Sequence, residues 1–211
     1  DEDGTVQAEA LAARETVGLY DASPLGKIEV LGPGAADLLD FCVYVRMSTL
    51  KPGRARYGFM LSETGVVHDD GVVFRLADDR FVVSASSSHV SSVRMILEEA
   101  RQDRFDTSAV YLHDVSAHWV TLTASGPAAR ALIVGSGIDL PDLPHMSVAE
   151  TVWSGIPLRI ARVSFTGDAS WELSVPARHG ATLVAALGGA RGQPGGRGIG
   201  LGGLMSLRAE K

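Results

Sequence analysis

Residues 57–74 read YGFMLSETGVVHDDGVVF, and within them Asp69 and Asp70 form a carboxylate pair set among valines. The run divides into two strands joined by a turn at Glu63-Thr64-Gly65. Side chains alternate between the faces of a strand, so the two aspartates must point opposite ways. A carboxylate beside Val66, Val67, Val72, Val73 and Phe74 is costly unless it is paired, hydrogen-bonded or part of a site. One reading makes the pair a centre for acid–base or electrostatic work. The other makes both residues solvated, or turn-capping, near a strand end. Glu172, between Trp171 and Leu173, poses the same choice between an outward-facing acid and a buried hydrogen-bond acceptor.

Other chemistry-bearing residues are scattered. His68, His89, His113, His118, His145 and His179 show no i, i+4 pair of the kind that holds zinc on a helix, and no metal site is expected. Ser86-Ser87-Ser88-His89 puts hydroxyls next to a base, but no nucleophile elbow surrounds them, and helix capping is the expected role. Gly198, Gly200 and Gly203 satisfy GxGxxG. The segment before them is rich in Gly and Pro and not a strand, so a dinucleotide site is not expected.

These residues need a scaffold. An alanine-rich stretch, 6–17, predicts a helix after a frayed acidic start. Residues 21–26 form a loop and 27–31 a short strand. Pro33 opens a helix through GAADLLDFCVYV. Asp78-Asp79 marks a turn before a strand at 81–85, and a helix follows over 86–102, its end weakened by the late acids Glu98 and Glu99. Strands are expected at 110–115 and 118–124, then a helix after Gly126-Pro127. A hairpin at 151–164 turns around Gly155-Ile156-Pro157, followed by a strand at 170–175 and a helix at 180–187. GGARGQPGG, 188–196, reads as the most flexible stretch, and a last helix runs from 199. Strands joined by hairpins as often as by helices predict an α+β fold, largely antiparallel sheets with packed helices.

The 211 residues suffice for a sizeable core. With 45% hydrophobic and 21% charged residues the chain is globular. A net charge of −6 argues against a nucleic-acid partner, and no apolar run is long enough to span a membrane. The N-terminus shows no signal peptide, and one cysteine, Cys42, allows no internal disulfide; a reducing cytoplasm is the expected compartment.

DDG after a glycine turn, with DASPLGKIEV upstream and SFTGDASWEL downstream, resembles the tetrahydrofolate-dependent aminomethyltransferase family. That family comprises the glycine cleavage T-protein and the folate domains of sarcosine and dimethylglycine oxidases. The resemblance implies a T-protein-like folate-binding fold of two intertwined subdomains, one ferredoxin-like. It covers 17–211, leaving 1–16 as an acidic extension and helix, and leads us to expect that the chain lacks the family's C-terminal β-rich domain. It places the catalytic aspartate at Asp70, approaching the folate nitrogens that accept the one-carbon unit, with Asp69 as structural partner. Glu172 is similar in position to a pterin-binding glutamate, and a carboxylate suits the paired amine and N–H of a pterin edge. Tyr57 could be plain strand packing, and the resemblance implies a place beside the folate. Ser84 stands where T-proteins carry an asparagine, and its shorter hydroxyl makes fewer contacts. His68 replaces a usually apolar residue.

The loop DASPLG, the start GGLM of the last helix and the ending LRAEK look like the folate domain of the sarcosine oxidase α subunit. The implied activity forms methylene-tetrahydrofolate from an imine or formaldehyde derived from an N-methyl amine, or from an aminomethyl donor. The implied partners are folate and either a flavin-containing oxidase subunit or a lipoyl carrier protein. A non-catalytic folate-binding sensor or assembly subunit of the same fold remains open.

Overall fold

The structure, a computed structural model, describes residues 2–188 and 196–211. Residues 189–195 of the glycine-rich run, and Asp1 of the acidic start, lie outside the described residues. Along the chain the elements are α1 (Glu2–Glu15), β1 (Gly18–Asp21), β2 (Gly26–Leu31), α2 (Ala35–Cys42), β3 (Arg54–Leu61), β4 (Val67–Ala77), β5 (Arg80–Ala85) and α3 (Val90–Arg104). Then come β6 (Tyr111–Asp114), β7 (Trp119–Ser125), α4 (Ala129–Gly135), β8 (Ser147–Trp153), β9 (Ile156–Arg162), β10 (Ser170–Pro176), α5 (Gly180–Leu187), β11 (Arg197–Gly198) and α6 (Leu201–Glu210). The α+β class holds: apart from the parallel β1–β11 pair, the registered ladders are antiparallel.

Two compact units interleave along the chain. Unit 1 takes residues 1–22, 119–145 and 149–211, and unit 2 takes 23–118 and 146–148. In unit 2 the strands run β3-β4-β5-β2-β6. Ile28, Val30, Met60, Val73, Phe81 and Val83 turn one face of that sheet toward Leu38 and Leu39 of α2 and Val93 and Leu97 of α3. In unit 1 the strands run β11-β1-β7-β10-β9-β8. Leu158, Ile160, Leu173 and Val175 pack against Leu132 and Ile133 of α4 and Leu183 and Leu187 of α5. Ala13, Tyr20, Ile199 and Leu207 form a smaller core joining α1, β1 and α6.

Several boundaries differ from the expectations. α2 stops at Cys42 because Val43 is already extended, so Val43-Tyr44-Val45 leave the helix. Ser154 and Gly155, both at positive φ, make the β8–β9 turn, and Ile156 and Pro157 belong to the strand beyond it. β1 was not foreseen: four residues beginning with Gly are too few to show alternation. α3 begins only at Val90, with His89 as N-cap residue and no side-chain cap, so the capping role expected of the Ser86–His89 run is not found. Nor does α3 fray at its acids. Glu98 receives hydrogen bonds from Arg101 and Gln102, and the helix continues to Arg104. The glycines before α6 do follow a short strand, β11, but the Glu9 carboxylate already accepts the Gly200 N–H at 2.9 Å. An acid of the chain itself thus occupies the start of that helix.

Candidate active site on β4

β4 carries the carboxylate pair, and its neighbours explain the local sequence. β3 and β4 pair so that Phe59 lies opposite Asp70 and Met60 opposite Asp69. The turn between them uses Gly65 at φ +81, as its position required. Gly71 follows the pair because nothing larger fits: a Cβ there would lie 1.9 Å from the Ser84 carbonyl oxygen.

The two aspartates do face opposite sides, with opposite surroundings. Asp69 is buried, with 6% of its surface exposed. Its Oδ2 accepts the Ser86 N–H at 3.0 Å, and its Oδ1 lies 3.2 Å from His89 Nδ1. Asp70 is exposed, and its Oδ2 accepts the Tyr57 hydroxyl at 2.6 Å. Of the pair, the carboxylate enclosed by the core is Asp69, and the Asp70 that the resemblance marks as catalytic is the exposed one. Alternation puts the two on opposite faces, and packing makes the face of 69 and 73 the core face of β4, which leaves 70 outside.

A small cavity of about 20 Å³ is bordered by Val43, Val83, Val93, Asp69, Asp70 and Ser84, among others. It has room for about one water molecule and does not admit an organic ring system. Ser84 is half-buried on β5. Unit 2 thus brings Tyr57 and Asp70 into direct contact and sets Ser84 at the same cavity.

Glu172 belongs to unit 1 and is half-buried on β10. It pairs in register with Thr123 of β7, which in turn pairs with Tyr20 of β1, so the three form one row across the sheet. Burial, then the nearby Glu172 carboxylate, push the Tyr20 phenol well above its usual range, while the Thr123 hydroxyl offsets part of the rise. The Thr123 Oγ1 is buried without a hydrogen bond of normal geometry.

Tyr20, Ser86 and His89 were not singled out for this site by sequence reasoning. A signal for the last two existed: a buried Asp69 needs donors, and the polar run SSSH is the one that follows β5. Among the described residues no three His, Cys, Asp or Glu are grouped to hold a metal ion. No helix among them is long and apolar enough to cross a membrane.

Comparison with known proteins gives a consistent picture. The model of the GCVT N-terminal domain matches residues 2–211. The sarcosine oxidase subunit alpha of Corynebacterium sp. (strain P-1) is 37% identical over 185 residues, covering 85% of this chain and 19% of that protein. The aminomethyltransferase of Streptomyces coelicolor is 35% identical over 188 residues, covering 89% of this chain and 50% of that protein. Among solved structures, the glycine cleavage system aminomethyltransferase T from Bartonella henselae superposes with a TM-score of 0.86 at 29% identity, covering 97% of this chain and 54% of that one. The chain thus spans about a fifth of the first relative and half of the second.

Proposed function

Because the chain belongs to the family of the GCVT N-terminal domain, we propose that it is a tetrahydrofolate-dependent one-carbon transfer domain. The donor is an imine or formaldehyde from an N-methyl amine such as sarcosine, or an aminomethyl group. The reading is supported by relatives named aminomethyltransferase and sarcosine oxidase subunit alpha. The observation that carries it is Asp70, an exposed carboxylate oriented by the Tyr57 hydroxyl at 2.6 Å. Tetrahydrofolate supplies the nitrogens that accept the one-carbon unit.

Asp70 holds negative charge toward a cationic donor and takes up the proton released as the C–N bond forms. Tyr57 keeps that carboxylate in one orientation and lies beside the folate. Glu172 grips the pterin through two parallel acceptor contacts, a task its half-buried position suits. Ser84 adds a minor polar contact. The small cavity beside Asp70 is too small for a pterin ring, so in this reading Asp70 meets the folate from its exposed side. A flavin-containing oxidase subunit supplies the donor, or a lipoyl carrier protein does, and the cytoplasm is the proposed compartment.

The exposure of Asp70 favours a second reading, a folate-binding module without turnover, because a solvated carboxylate stabilises developing charge less than an enclosed one. Titration with tetrahydrofolate and formaldehyde separates the two. Binding with methylene-tetrahydrofolate formed faster than the two condense without the chain supports the enzyme, and binding with no such acceleration supports the module. Glu172→Ala should weaken binding by more than about tenfold, the loss of a charged contact of roughly 1.5–3 kcal/mol.

A further inference from the structure

We propose that His89 is a positioning residue for Asp70, acting through the buried Asp69. Both Asp69 oxygens are engaged, Oδ2 by the Ser86 N–H at 3.0 Å and Oδ1 by His89 Nδ1 at 3.2 Å. In this arrangement the carboxylate accepts on both oxygens and Nδ1 is the donating nitrogen, the assignment that the 15N measurement below tests. The Asp69 side chain is 5% exposed and that of His89 48% exposed, so the imidazole closes the open side of a carboxylate that water does not reach.

Asp70 sits between two fixed points of β4. On one side is Asp69, tied to the Ser86–His89 turn. On the other is Gly71, pressed so close to the Ser84 carbonyl that no Cβ fits. Successive residues of a strand point to opposite faces, so the path that seats Asp69 also sets the direction of Asp70. Loss of the His89 contact frees one of these two points and lets the Tyr57–Asp70 pair drift.

His89 is itself braced. The Ser92 hydroxyl donates to the His89 carbonyl at 2.9 Å, so its one hydrogen is used. His68 Nε2 lies 3.0 Å from the Ser92 Oγ, whose hydrogen is already given away, and is therefore the donor to that hydroxyl oxygen. The His68 and His89 rings lie 5.9 Å apart. This gives His68, at a position expected to be apolar, a physical role: it buttresses the turn that holds the clamp.

The proposal rests on the one-carbon-transfer reading for its kinetic arm alone. The first arm is NMR on the whole chain labelled at the tyrosine Cζ, with the Tyr57 signal, sensitive to the acceptor on its hydroxyl, assigned from Tyr57→Phe. In His89→Ala the signal moves toward that of a solvated phenol. In His89→Asn, whose amide N–H can replace Nδ1–H, it stays near the wild-type position. In Leu97→Ala, a core change in α3, it does not move. A signal unmoved in His89→Ala, or moved equally in Leu97→Ala, overturns the proposal. Should His89→Ala fail to fold, the wild-type imidazole 15N spectrum decides: a neutral ring protonated on Nδ1 supports the clamp, and one protonated on Nε2 overturns it.

In the kinetic arm, His89→Ala lowers kcat about tenfold with KM for folate changed less than about twofold, and His89→Asn restores most of the rate. A change confined to KM counts against the proposal. If the chain neither binds folate nor turns over while the Tyr57 signal still responds to His89, the functional reading fails and the positioning role stands.

Discussion

A buried carboxylate survives only with partners, and Asp69 has two of them while Asp70 has water and a tyrosine. The two residues should therefore answer differently to removal. Asp69→Ala strands the Ser86 N–H and the His89 imidazole, and we expect a loss of about 3 kcal/mol in urea unfolding. Asp70→Ala, at an exposed position, should cost less than about 1 kcal/mol. Equal losses would contradict the assignment of faces. Cys42 offers a second test at this scale. Burial pushes its thiol up from 9.0 to about 12. The folded chain should resist thiol-alkylating reagents near neutral pH and react only when unfolded. A raised folded-state value contributes stability that is fully present below 9.0 and is lost as pH rises toward about 12. Cys42→Ser should flatten that alkaline decline, as read by melting temperature against pH.

Elements were legible wherever a period or a turn spoke for itself. α5 lies where the sequence places it, and the β3–β4 hairpin turns at Gly65 as read. What failed was tertiary. β1 is too short to announce itself, and the Ser86–His89 turn serves Asp69 on another strand, a contact that no local rule reveals. The DDG signature is partly structural: Gly71 lets β4 pass close to β5, and Gly71→Ala should destabilise the chain by about 3 kcal/mol or more, measured by thermal or urea unfolding. A loss under about 1 kcal/mol would contradict the close approach. In α3, the Arg101 and Gln102 hydrogen bonds hold the Glu98 carboxyl below its ordinary 4.5. A lowered folded-state value contributes stability that is present above 4.5 and lost as pH falls through the lowered value. The melting-temperature deficit of Glu98→Gln should accordingly shrink as pH falls below 4.5.

For the molecule as a whole, the class was readable from hairpins alternating with helices, and the family from a few motifs spread over the chain. The interleaving of two units was not readable from residue patterns, because residues 146–148 belong with unit 2 for a reason visible only in space: Ser147 pairs with Arg54 of β3. Nor could the sequence say which aspartate meets water, since alternation separates the two faces without naming the buried one. The chain spans 19% of the sarcosine oxidase subunit alpha and 50% of the aminomethyltransferase described above. The most direct test of the central claim compares the wild-type chain with Asp70→Asn, measuring tetrahydrofolate binding and the rate of methylene-tetrahydrofolate formation from formaldehyde above the rate without the chain. The account predicts unchanged binding and a rate that falls at least about a hundredfold. Product formed at the wild-type rate by Asp70→Asn would contradict it.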